Sequence, residues 1–143
     1  MIFGIGCDIC SVSGIVESFE RFGHSFAEQF CTDEEIARIS KLSMLMRARE
    51  VAMLFSAKEA VAKGLGRGFY GEFWFDDIDV RRSARSHYKV RLSHSALVEI
   101  FGEDIPRLNV MLTCSADRDY AISTAIVTGE SGSESTQKFQ AAG

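Results

Sequence analysis

The sequence predicts an α+β domain in which antiparallel strands pack against helices, one of them long and central. Three observations carry this expectation. Residues 2–9, 108–114 and 120–127 have strand-like apolar content at the two ends of the chain. Residues 43–65 form an alanine-rich run with apolar positions at helical spacing. Between them, two strand-like stretches and a short helical one complete an order of strand, several helices, two strands, helix, two strands.

Taken in order, residues 2–9 place Gly4, Gly6 and Asp8 on one strand face and Phe3, Ile5, Cys7 and Ile9 on the other. A glycine-bearing face admits another backbone or a ligand, and the carboxylate that ends it then faces that visitor. Asp8 alternatively caps the next helix, although Ser11 and Ser13 fit that role as well. Residues 13–22 read as an amphipathic helix through Ile15, Val16, Phe19 and Phe22, stopping near Gly23, and a second helix spans about 24–30. Thr32 and Glu35 have capping-box spacing and start a helix over 33–40. The long helix follows, with Val51, Leu54, Phe55, Val61, Ala62 and Leu65 on its core stripe and Arg47, Arg49 and Glu50 on its wet side. Residues 73–80 and 87–92 read as strands, 93–101 as a helix stopped by Gly102, and 108–114 and 120–127 as the closing strand pair. Beyond Gly129 no hydrophobic pattern remains, so the expected layout is a domain over 1–128 and a disordered tail over 129–143.

With 143 residues, 46% hydrophobic and 25% charged, the composition is that of one ordinary globular domain. No apolar run approaches the roughly 20 residues that span a bilayer, and MIFGIGCDIC lacks a basic leader and a cleavage site, so a cytoplasmic location without membrane attachment is expected. A net charge of −4 argues against nucleic acid as a partner. The local exception is 81–91, where Arg81, Arg82, Arg85, Lys89 and Arg91 suit either a phosphorylated or acidic partner or a solvated hairpin. Cys7 and Cys10 form a CxxC, but no second pair accompanies them and Cys7 alternates with apolar neighbours, so buried structural thiols are expected rather than a redox or zinc site.

The chemistry-bearing stretch is LFSAKEAVAKGLG, 54–66. Glu59 and Lys63 sit four residues apart at the rim of the apolar stripe, Lys58 falls inside it, and Gly64, Gly66 and Gly68 let a ligand approach the main chain. This spacing is also that of the commonest helix-surface ion pair, worth about 0.2–0.5 kcal/mol. If the first strand packs beside the long helix, however, Asp8 and Glu59 converge. Two carboxylates suffice for magnesium, which fills its remaining positions with water and phosphate oxygens, and Lys63 then points at the same phosphates.

Here the chain resembles the phosphopantetheinyl transferases of the small holo-acyl-carrier-protein synthase type. GIGCDIC at 4–10 resembles the family's G-x-D-I opening, FAEQFCTDEE at 26–35 its second block, and FSAKEAVAKGLG at 55–66 its F-x-x-K-E-A-x-x-K signature, in the family's order and spacing. The weaker resemblance extends to about Val127. It implies transfer of 4′-phosphopantetheine from coenzyme A to a serine of an apo acyl carrier protein, with release of 3′,5′-ADP. Carried over by position, Asp8 and Glu59 hold Mg2+ and Lys63 contacts the pyrophosphate, these three being the catalytic set, while Gly66, Arg67 and Gly68 border the nucleotide. The serine loses its proton to Glu59 or to water at the metal. A homotrimer with sites between subunits is implied by the resemblance alone.

Several positions depart from the family pattern. Ala116 stands where relatives often carry histidine or an acid, with Asp117 and Asp119 as nearby substitutes. Leu54 replaces an arginine, Gly14 a basic residue, Gln29 another arginine, and His87-Tyr88-Lys89 lies where a Gly-Lys-Pro turn is common. These losses thin the charge facing the carrier and suit a dedicated carrier rather than the general fatty-acid one. Ser93-His94-Ser95 resembles a catalytic dyad, but a helix start with a serine cap accounts for it. The competing functions are a non-catalytic coenzyme A or carrier-binding relative and a thiol redox protein using Cys7 and Cys10.

Overall fold

The computed structural model describes residues 1–69, 71–83 and 88–130. Strand β1 (Ile2–Ser11) leads into α1 (Val12–Phe22), the single-turn α2 (Ser25–Glu28), α3 (Asp33–Ile39) and the long α4 (Met44–Gly64). Strands β2 (Ile78–Arg82) and β3 (Tyr88–Leu92), helix α5 (His94–Phe101) and strands β4 (Arg107–Ala116) and β5 (Tyr120–Glu130) follow. All pairing is antiparallel, in a sheet of order β1-β5-β4 and a separate β2-β3 hairpin, which is the α+β arrangement expected.

The caps follow their local chemistry. Ser11 accepts from the amide of Gly14 and starts α1, leaving Asp8 out of capping. Gly23 ends α1 at φ 68°, a left-handed conformation that glycine adopts without penalty. Thr32 and Glu35 complete the capping box of α3, and Ser93 caps α5 by accepting from Ala96.

Four expectations are corrected. Residues 73–77 are not strand: Phe73 is wholly buried, Phe75–Asp77 form a short 3-10 turn, and the Asp77 carboxylate accepts from the Trp74 amide. Phe69, Phe73, Phe75 and Phe55 stack there and Phe30 meets Phe55 edge-on, so aromatic packing rather than a sheet ladder organises the segment. Helix α4 has no single stripe; Ala48, Ala52, Ser56, Ala57, Lys58, Ala60 and Gly64 are buried beside Val51, Leu54, Val61 and Ala62. Its arginines are not on a wet side: Arg47 donates to the carbonyls of Ile39, Ser40 and Leu42, and Arg49 to that of Ala116. Finally, β1 buries its glycine face, and Ile5, Cys7 and Ile9 are exposed, so Cys7 is not a buried thiol.

The glycines explain that last inversion. A Cβ on Gly6 would stand 1.9 Å from the Ala60 carbonyl oxygen and one on Gly4 2.4 Å from that of Gly64. Backbone lies directly on backbone where β1 crosses the C-terminal half of α4, a closeness that only glycine permits. Strand β5 runs to Glu130, past the domain limit expected at 128; residues 131–143 of the expected tail, together with Arg85 and His87, lie outside the described residues.

Candidate active site

The glycine crossing brings the end of β1 against α4. Asp8 follows Gly4 and Gly6 on the inner face of an edge strand, and Lys63 reaches back along α4 to it, with Nζ 2.7 Å from Asp8 Oδ1. The same ammonium donates to the Cys7 carbonyl at 3.2 Å. Glu59 lies one turn before Lys63. Its carboxyl is pushed above the usual glutamate range by burial and by the negative charge of Asp8, with Lys63 opposing. Lys63 is in turn raised, chiefly by its hydrogen bond to Asp8. Asp8 and Glu59, 51 positions apart in sequence, thus form one electrostatic cluster with Lys63.

Lys58, which fell inside the predicted stripe, is fully buried and pairs with an equally buried Glu35 at 2.7 Å. Its ammonium also donates to the carbonyls of Phe30 and Phe75, while Glu35 accepts from the amides of Thr32 and Val80. This pair ties α3, the aromatic segment and β2 to α4 and fixes the helix rotation that presents Glu59. Sequence reasoning assigned Glu35 only to its cap; the missed signal was that a lysine inside an apolar helix requires a buried acid.

The other singled-out residues resolve as follows. Arg67 pairs with Glu99 of α5 at 3.2 Å, and Gly66 takes φ 71° just beyond the helix end. Asp117 caps the β4–β5 turn by accepting from the amides of Asp119 and Tyr120, which lowers its carboxyl below the usual range. Arg81 and Arg91 of the basic stretch are paired with Asp79 and Glu34, so those two charges are answered locally. Ser93 and Ser95 share the Asp77 carboxylate, as a helix start does. Cys10 faces inward, away from Cys7, with its thiol pushed up to about 11 by burial and by Asp8, which opposes the redox reading.

Asp8 and Glu59 are hard oxygen donors beside a cation-stabilised surface, a donor set that fits a magnesium ion keeping most of its water. Among the described residues no group of three or more metal-ligating side chains gathers. Cavities are found elsewhere: one of about 570 Å3 beside Met1, Arg107 and Glu130, one of about 430 Å3 between β3, α5 and β4, and one of about 400 Å3 lined by Met46, Arg49, Glu50, Arg82, Tyr88 and Ala116 among others. At the cluster, the Asp8 side chain is 16% exposed and that of Lys63 49%.

Residues 4–125 match the family described as the 4′-phosphopantetheinyl transferase superfamily. A holo-[acyl-carrier-protein] synthase of Granulibacter bethesdensis is 32% identical over 130 residues, covering 90% of each chain. One of Delftia acidovorans is 37% identical over 130 residues, covering 89% of this chain and 97% of the relative. The crystal structure of a holo-(acyl-carrier-protein) synthase from Bacillus anthracis, in complex with CoA (3′,5′-ADP), is similar at a TM-score of 0.73 and 28% identity, over 89% of this chain and 96% of that one. A signature helix pinned to a glycine-bearing edge strand, a matching family and synthase relatives over nearly their whole length agree: the chain belongs to the 4′-phosphopantetheinyl transferase superfamily.

Proposed function

We propose that the chain transfers 4′-phosphopantetheine from coenzyme A to a serine of an apo acyl carrier protein, dependent on Mg2+ and releasing 3′,5′-ADP. The observation that carries this is the meeting of Asp8, Glu59 and Lys63 across the β1–α4 crossing, within the segments that resemble the family's signatures. The serine oxygen forms a bond to the phosphorus next to pantetheine. The bond from that phosphorus to the oxygen of the departing 3′,5′-ADP breaks, and the hydroxyl proton passes to a base. Asp8 and Glu59 would hold the cation, which when bound supplies charge neutralisation at the pyrophosphate. Lys63 offsets charge on the leaving ADP. The base that takes the serine proton is Glu59 or water at the cation. Gly66, Arg67 and Gly68 border the nucleotide, Arg67 being steadied by Glu99.

The assembly that goes with this reading is a homotrimer with sites between subunits. The outer face of the three-stranded sheet exposes Ile5, Ile9, Met111 and Ile122, an apolar surface that a second copy would cover. The four cysteines are free thiols, which suits a reducing cytoplasm.

Intact mass measurement of apo carrier incubated with the protein, coenzyme A and Mg2+ tests the reaction. One phosphopantetheine gained per carrier, with stoichiometric 3′,5′-ADP, is expected. Tight coenzyme A binding by calorimetry with no mass gain across a broad carrier panel would instead establish the non-catalytic binding module that Leu54 and Ala116 motivate. Leu54 is buried and the Ala116 carbonyl is taken by Arg49, so neither position offers a replacement side chain.

A further inference from the structure

Asp8 is held rigidly by an edge strand and its side chain is 16% exposed, whereas the Lys63 side chain that neutralises it is 49% exposed. Among the described residues the ammonium is anchored by Asp8 Oδ1 and the Cys7 carbonyl, at the end of a flexible four-carbon stem. A divalent ion at Asp8 and Glu59 needs the same carboxylate and is repelled by the ammonium standing on it. Other nearby basic groups are engaged elsewhere, Arg67 with Glu99 and Lys58 with Glu35.

We propose that Lys63 is the built-in counter-ion of the cation site: it occupies Asp8 until the substrate's diphosphate draws its ammonium away, so that cation and substrate bind cooperatively. This rests on the reading of Asp8 and Glu59 as the cation ligands. The diphosphate is the one partner in that reading with enough negative charge to replace Asp8. By linkage, whatever factor the substrate adds to cation affinity, the cation adds to substrate affinity. Without substrate, the lysine keeps Asp8 neutralised and the cluster free of adventitious cations.

Mn2+ binding to the full chain without coenzyme A, followed by the electron paramagnetic resonance of free Mn2+, tests this. Lys63→Met is expected to bind Mn2+ about threefold to tenfold more tightly than the wild type, through loss of the ion pair and of the repulsion. Lys63→Gln should do the same, so a folding defect in one variant leaves the other to decide. Lys63→Arg, which keeps the charge, should match the wild type, and Asp8→Asn should lose Mn2+ binding. If both neutral variants bind no tighter while Asp8→Asn loses binding, the counter-ion role is wrong and the cation site stands. If Asp8→Asn binds Mn2+ as the wild type does, the cation site itself is wrong.

Discussion

Glu59 keeps its proton to a higher pH than a free glutamate because burial and Asp8 both disfavour its charge. The folded state therefore binds that proton more tightly than the unfolded one, and the contribution to stability is lost as pH rises through the raised value. Glu59→Gln should melt above the wild type at pH about 8, with the difference vanishing near pH about 4, where both side chains are neutral; circular dichroism melts at the two pH values check it. Lys58 makes the opposite case. Lys58→Met leaves the Glu35 carboxylate buried without its cation, and urea unfolding should register a loss of about 3–5 kcal/mol. Adding Glu35→Gln to that variant should restore part of it. At this scale the sequence was partly legible. Asp8, Glu59 and Lys63 stood out because their places at the rim of apolar elements coincide with the segments that resemble the family's signatures. Glu35 did not, because its partner lies across the fold and its cap role already explained it.

Among elements, the β1–α4 crossing sets the candidate site, bringing Asp8 to Lys63. Gly6→Ala puts a methyl carbon into the Ala60 carbonyl, so the strand must lift from the helix and carry Asp8 away from Lys63. Destabilisation of at least about 1–3 kcal/mol is expected, with a loss of transferase activity that exceeds what the unfolded fraction explains; calorimetric melting beside activity at low temperature separates the two. Most element boundaries were readable from caps and periodicity, as Ser11, Thr32 and Ser93 illustrate. The burial of α4 on nearly all sides was not, since Ala48, Ala52, Ser56 and Ala60 are too small to register as an apolar stripe. The 73–77 segment misled because phenylalanines stacked in a core have the same composition as a strand.

For the whole molecule, the sheet presents Ile5, Ile126 and Met111 in one cross-strand row and Ile9 beside Ile122 in another. Periodicity placed Ile5 and Ile9 on one face correctly but could not say which face the helix covers; the glycines decide that, and the isoleucines are left outside. If the proposed homotrimer forms through this face, light scattering should find a trimer for the wild type and a folded monomer for Ile5→Lys combined with Ile122→Lys, with turnover falling alongside. A wild-type monomer with full activity would refute sites shared between subunits.

The most direct measurement is the single-turnover rate of carrier modification at saturating coenzyme A and Mg2+ for wild type, Asp8→Asn and Glu59→Gln, each checked for an unchanged fold. If the two carboxylates grip the cation that neutralises the pyrophosphate, each variant should lose about a hundredfold or more, several kcal/mol of barrier. Wild-type rates in both, or a wild-type rate untouched by removal of divalent ions, would contradict it.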